Sequence, residues 1–448
     1  MVGDKSVPAI SRATVLQYDP RMALFEPTAG DVLPVLSDER RRLFLHPDSS
    51  GRPVRSPVSE ATIARARAHR IERVRSEMRR HDCSALILYN PINIRYAYDY
   101  SNMQLWTMHE MMRHALIFAD GPAMMFEFKG CEHLCRLGAN IDEVRTATGY
   151  MYMAYGDGAD DRAAVWADEM ADLLRRYGSG GRLAVDRIEP LGLSALADRG
   201  LLVDDGQKIM EHARSIKNDA EIEMMQWTIR VAESGMARIY DRSEPGVTEH
   251  ELWAELHHEN ARYGGEWFEA RLLCSGPRTN PWLQEVSDRV VQAGEMISFD
   301  TDMVGPYGYC ADLSRSWTCG HTPMTGLQRS LYAKAVDQVE HNTALLEPGL
   351  SFREFNERSW RIPDRHVPYR YSLAIHGVGL VDEWPVIALH PDFDGPYGHR
   401  DGTFETGMVL CVESLMAEAG SESIKLETQV LITDDGAMRL DRFPWEDS

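Results

Sequence analysis

The chain has 448 residues and a formal charge of −21, long enough for two domains with full cores and too acidic to favour a nucleic-acid partner. Seven scattered cysteines, an odd number, suggest a reducing compartment rather than a disulfide framework. No apolar run approaches the roughly 20 residues that span a bilayer, and the start, MVGDKSVPAIS, lacks the basic and apolar regions of a secretory signal. A cytoplasmic protein with no membrane partner is expected.

In chain order, residues 1–57 carry Pro, Gly and Asp at short intervals and read as an extended arm. A helix is expected from Ser59 to Arg80, with Ile63, Ile71, Val74 and Met78 near one face, followed by a strand from Ala85 to Tyr89 that ends at Asn90-Pro91. NPINIRYAYDYSNMQLW, from Asn90 to Trp106, is aromatic and polar together; it reads as a loop packing its rings on the domain surface or lining a site. Strands near Ala115 to Phe118, Ala123 to Phe128 and Leu183 to Val185, with a helix near Ala163 to Arg175, make residues 58–210 an α/β domain.

Residues 211–448 form the second domain. Ile222, Met225, Ile229, Ala232, Met236 and Ile239 recur three and four apart, the face of a long helix stopped by Pro245-Gly246. Thr248 with Glu251 is a capping-box pattern that opens another helix. A third helix is expected from about Leu327 to Leu346.

Between these helices lies MISFDTDMVGPYGYCADLSRSW, two strand-like runs turned at Gly305-Pro306. Asp300, Asp302 and Asp312 stand here among apolar residues, and a carboxylate facing a core must be protonated, ion-paired or bound to metal. A surface hairpin with acidic faces is the plain alternative. Further along, His376 in LAIHGVGL, Glu413 in MVLCVESLM and Glu427 in IKLETQVLI occupy similar apolar settings. Such an oxygen-rich set with one imidazole suits a pair of divalent cations bridged by carboxylates.

The order Asp, Asp, His, Glu, Glu resembles the metallopeptidase family of methionine aminopeptidase, prolidase and creatinase. RSIKNDAEIEMM, SGPRTNP, YCADLSRSW, IHGVGL and ETGMVLCVE carry the likeness. The resemblance implies a creatinase-like α/β domain, a pita-bread catalytic domain of mixed α+β class, and a homodimer formed through the first domain. It also implies that Asp300, Asp312, His376, Glu413 and Glu427 hold two metal ions, with Asp312 and Glu427 as bridges and Asp302 as an open case.

Departures from that pattern bear on function. Peptidases of the family use histidines to bind and protonate the peptide, and the matching positions here are Leu283 and Glu383. Without those donors, amide hydrolysis loses its usual acid. VDEWP, from Val381 to Pro385, and Tyr371 stand in their neighbourhood, and with GGEWFEARLLCSGPRTNPW they resemble the dimethylsulfoniopropionate lyase subfamily of the DddP type. The Asp300 to Asp312 spacing is one residue longer than is common, and Leu389 to Thr406 reads as an insertion.

That resemblance implies elimination from a small zwitterion, releasing dimethyl sulfide and leaving acrylate. Metal ions, iron by the subfamily likeness and otherwise manganese, cobalt or zinc, would stabilise charge developing beside the substrate carboxylate. Asp382 is the expected base, with Glu383 its competitor. Tyr371 is the expected aromatic wall for the sulfonium, followed by Trp384, Trp282 and Trp106; Tyr371 could instead hydrogen-bond a ligand or Asp382. A metal-dependent C–N hydrolase of the dipeptidase or creatinase kind is the alternative reading. A catalytically dead binding protein ranks below both, because no metal ligand is lost.

Overall fold

A computed structural model describes residues 57–446 and the backbone of two short paired strands, His46–Pro47 and Pro53–Val54. The arm expected over residues 1–57 lies almost wholly outside the described residues. Two units are distinguished, Glu60–Ala220 and the residues from Glu221 onward.

The first unit is built on a six-stranded sheet. Its strands are β1 (Cys83–Leu88), β2 (His114–Phe118), β3 (Ala123–Glu127), β4 (Glu143–Thr146), β5 (Arg182–Val185) and β6 (Val203–Asp205), in the order β4-β3-β2-β1-β5-β6. The pairings β1/β2 and β2/β3 are antiparallel and the other three parallel. β1, β2 and β3 are buried along their whole length, which is why they read as continuous apolar runs rather than alternating ones. Helix Glu60–Arg80 follows the predicted bounds closely, and helix Ala159–Tyr177 sets Trp166 and Met170 into the core against Phe126 and Leu116.

The segment from Asn90 to Trp106 departs from its expected loop. It forms helices Pro91–Tyr98 and Gln104–His109. Asn90 caps the first by accepting from Ile92 N, and Pro91 stands at the first turn, where its missing N–H costs nothing. The tyrosines turn inward rather than over the surface, because each phenol finds an acceptor. Tyr96 donates to Ala213 O at 2.7 Å, Tyr98 to Met124 O at 3.0 Å, and Tyr100 to Glu127 Oε2 at 2.6 Å.

His114 in this core gives a pH-dependent stability. Its ring stacks on Phe126 with centroids 4.3 Å apart, and its Nε2 accepts from Trp166 Nε1 at 3.3 Å. Burial depresses its pKa from 6.5 to about 4. The unfolded chain therefore binds the proton first as pH falls, so the neutral ring's contribution is whole above 6.5 and is lost as pH drops to about 4. The change is roughly 3 kcal/mol. His114→Gln keeps an acceptor for Trp166 and cannot titrate. Denaturant unfolding of this variant across that interval should show a flatter pH dependence than the parent; an unchanged slope would place the titration elsewhere.

The second unit carries three antiparallel sheets. One is β8 (Leu273–Ser275), β9 (Met296–Asp300) and β12 (Ser314–Thr318), in the order β8-β9-β12. A smaller one joins β7 (Trp267–Phe268), β10 (Met303–Val304) and β11 (Cys310–Ala311), with β10 in the centre. The largest contains β13 (Leu373–Val378), β14 (Asp382–Ala388), β15 (Val409–Met416), β16 (Ile424–Thr433) and β17 (Gly436–Arg439), ordered β14-β13-β15-β16-β17. Helices Asp219–Arg242, Glu249–Arg262 and Gly326–Leu345 stand where periodicity predicts them, and the Thr248/Glu251 capping box is formed.

The expected hairpin over Met296 to Trp317 is split between two of these sheets. Thr301 Oγ1 donates to Ala311 O at 2.8 Å and accepts from Leu313 N at 3.0 Å, tying the two strands together at the break. Serines then fasten the first sheet to β16. Ser298 donates to Ser423 O at 2.8 Å, Ser316 donates to Lys425 O and accepts from Lys425 N, both at 3.0 Å. Behind this seam Arg315 donates to Glu427 O at 2.6 Å, and the guanidiniums of Arg315 and Arg439 lie 4.1 and 4.3 Å from the Trp445 ring.

Candidate metal centre and catalytic site

Asp300 ends β9, Asp312 lies between β11 and β12, His376 is on β13, and Glu413 and Glu427 face each other directly across the β15/β16 pair. All five are buried. His376 Nε2 lies 3.4 Å from Asp312 Oδ2, 3.2 Å from Glu413 Oε1 and 3.3 Å from Glu427 Oε1. Its Nδ1 is 3.0 Å from Gly377 O, an atom that only accepts. The Gly377 carbonyl places a proton on Nδ1 and leaves Nε2 facing three carboxylates. That position calls for positive charge, which a second ring proton or a bound metal ion would supply.

Asp302 is brought to the same place. It has φ +40°, the left-handed region, and offers a ligand atom within 4.8 Å of those of Asp312 and Asp382. Oxygens Asp300 Oδ1, Asp302 Oδ2, Asp312 Oδ1 and Glu427 Oε1 are buried with no hydrogen-bond donor. Each would cost several kcal/mol if left bare. The residues therefore fit a metal centre, since hard oxygen donors with one imidazole are what divalent first-row ions take.

The electrostatics agree. Burial, with Glu427 adding, raises the pKa of Asp300; burial and neighbouring acids raise Asp302 and Asp312 well above the usual carboxylate range. Burial opposes the imidazolium of His376, yet Asp382, Glu413 and Glu427 outweigh it and raise that ring's proton affinity well above its ordinary value. Glu413 and Glu427 are held below the usual range despite burial, chiefly by Lys425.

Lys425 and Cys411 are the members the sequence reading missed. Lys425 sits two residues before Glu427 on β16 and so shares its face; its Nζ is 2.9 Å from Glu413 Oε2, 2.8 Å from Glu427 Oε2 and 3.2 Å from Asp300 Oδ2. Cys411, two before Glu413 on β15, sets its thiol 3.8 Å from Asp312 Oδ2. A lysine in the alternating run IKLET, on the same face as Glu427 and flanked by Ile424 and Leu426, is the available signal.

Asp382 opens β14 with its side chain 49% exposed and Oδ1 3.7 Å from His376 Nδ1. It is the accessible carboxylate of the cluster. Crowding by protein raises its pKa, His376 pulls it down, and Glu427, Glu413 and Asp300 push it up. The Trp384 ring lies against Phe352 and His399. Glu383 is buried, and its carboxylate fills the space a side chain at Gly379 would need.

Tyr371 packs with Trp282, Leu272, Cys274 and Leu415, its ring 5.8 Å from Lys425 Nζ. Burial, reinforced by Glu413, raises the phenol's pKa and keeps it neutral. Trp106 belongs to the other unit, where it packs on Phe128 at 5.1 Å.

Residues 223–434 match the description Metallopeptidase family M24. The chain is 40% identical over 391 residues to the dimethylsulfoniopropionate lyase DddP of Roseobacter denitrificans, covering 86% of this chain and 87% of that one. It is 38% identical, with the same coverage, to the dimethylsulfoniopropionate lyase DddP of Roseovarius nubinhibens. Among solved structures, an Xaa-Pro dipeptidase from Bacillus anthracis aligns with a TM-score of 0.67 at 20% identity, covering 85% of this chain and 98% of that one. Dipeptidase PepE from Mycobacterium ulcerans aligns at 0.68 and 19% identity, covering 85% and 97%. These two establish the fold, the pita-bread architecture behind a separate N-terminal α/β unit.

Proposed function

The chain belongs to metallopeptidase family M24, among the DddP lyases, and we propose from that membership and the site's geometry that it cleaves dimethylsulfoniopropionate to dimethyl sulfide and acrylate. The observation that carries the reading is a single half-exposed carboxylate, Asp382, at the mouth of a buried acidic cluster whose unpartnered oxygens call for cations. Asp300, Asp302, Asp312, His376, Glu413 and Glu427 would hold two metal ions. Iron is the proposed metal, with manganese, cobalt and zinc the ions elemental analysis should distinguish from it. When bound, the cations supply a Lewis acid for the carboxylate end of the substrate.

The residues of the chain do the rest. Asp382 takes the proton from the carbon next to the substrate carboxylate; the electron pair left behind forms the carbon–carbon double bond, and the carbon–sulfur pair departs with dimethyl sulfide. The proton stays on Asp382 until solvent removes it. Of the two adjacent acids Asp382 is preferred over Glu383, which strand alternation turns into the interior. The Tyr371 ring, with Trp282 behind it, offers a neutral π face to the sulfonium. No helix among the described residues is long and apolar enough to cross a membrane, which is compatible with the cytoplasmic location we propose. A homodimer through the Glu60–Ala220 unit is also proposed, since that unit exposes Tyr152 at 70% and Met153 at 65%.

Metal-loaded protein incubated with dimethylsulfoniopropionate should release dimethyl sulfide into the headspace and leave a panel of Xaa-Pro dipeptides intact. Cleaved dipeptides without sulfide would replace this reading with the hydrolase. Tyr371→Ala should raise KM by about 2–30-fold, the equivalent of 0.5–2 kcal/mol of cation–π attraction, while Tyr371→Phe stays near the parent. If the phenylalanine variant falls as far as the alanine one, the hydroxyl matters and not the ring.

A further inference from the structure

Lys425 is about 1% exposed, and an ammonium is not buried without compensation. It makes contacts to four oxygens. Beside the three carboxylates already given, it donates to Ser314 Oγ at 2.7 Å, and that hydroxyl in turn donates to Glu427 Oε2 at 2.8 Å. The arrangement divides each shared ligand in two. Glu413 and Glu427 turn Oε1 toward His376 and Oε2 toward Lys425. Of the aspartates, Asp312 approaches the imidazole and Asp300 the ammonium.

Two glutamates directly opposite on adjacent strands repel each other, and Lys425 is the fixed charge on their common face. The geometry points to Lys425 as a positioning residue of the metal centre: it holds the far oxygens of Asp300, Glu413 and Glu427 so that their near oxygens converge on the cations. This rests on the metal-centre reading above. It predicts that the ammonium supports metal binding rather than competing for the same place. Outer partners that orient ligands typically account for roughly 10–100-fold in metal affinity.

The test is metal content and affinity, measured apart from turnover. Protein freed of metal should be titrated with cobalt(II) by calorimetry and by its visible absorption, in the parent, Lys425→Met and Lys425→Arg. The parent should take two equivalents. Lys425→Met, with an unaltered circular dichroism spectrum, should lose affinity by roughly 10–100-fold for at least one of them, and Lys425→Arg, which keeps the charge, should recover most of it. Equal affinities in Lys425→Met and parent would overturn the role, and tighter binding in Lys425→Met would show a competitor instead. If Lys425→Met fails to fold, the arginine variant decides: two equivalents with parental affinity support the role, and a loss as large as roughly tenfold refutes it. A parent that takes up no metal would sink the metal centre itself, a result distinct from either.

Discussion

Asp382→Asn is expected to lower kcat for sulfide release by about 10³-fold, within the 10²–10⁴ range of general acid–base catalysis. The amide matches the carboxylate in shape and cannot accept the substrate proton. Because Asp382 is half exposed at the rim while the other acids are buried, its replacement should leave metal content at the parental value and KM within a few-fold. Headspace assay of dimethyl sulfide, run beside elemental analysis of the same preparation, separates the possibilities. Full activity in the variant would remove Asp382 from the reaction and bring Glu383 forward. Loss of metal together with activity would make Asp382 a ligand, a role that its ligand oxygen, within 4.8 Å of those of Asp302 and Asp312, would allow.

Removal of the metals should be still more damaging. Dialysis against a strong chelator is expected to abolish sulfide release, to below about a thousandth of the parent, with recovery on adding one divalent ion back. His376→Ala should mimic it irreversibly, since it deletes the imidazole that faces Asp312, Glu413 and Glu427. Stability should follow. Asp300, Asp302, Asp312, Asp382, Glu413 and Glu427 converge on one site where, among the described residues, Lys425 and His376 are the cations paired with them. Ions that bind the folded state alone at 100 times their dissociation constant add about 2.7 kcal/mol. Calorimetry should therefore show a lower melting temperature for the catalytic unit after chelation. Activity that persists without metal would dismiss the centre as a catalytic device.

The proposed ligands were legible because each is an acid or imidazole in an otherwise largely apolar stretch, and the structure brings Asp300, Asp302, Asp312, His376, Glu413 and Glu427 together. The helices were legible through caps and period, as with Thr248 and Glu251. What was hidden depends on direction in space. Lys425 has no assigned role in the sequence reading, and the pairing of β15 with β16, Glu413 opposite Glu427, is what sets it beside Glu413. The aromatic residues were harder to read, because a ring has so much apolar area to bury that sequence says little about where it packs: Trp384 lies against Phe352 and His399, and Trp106 against Phe128. The inward turn of Tyr96, Tyr98 and Tyr100 was likewise invisible until their acceptors, two backbone carbonyls and Glu127, were in place.

The serine seam between β9, β12 and β16 has a bearing on which residues can be replaced. Hydroxyl-to-backbone links at Ser298 and Ser316 resist sliding, whereas an interface of methyl groups could creep under a change of packing. Asp382 and Tyr371 take no part in those links, so replacing either should leave the seam, and the strands it fastens, in place.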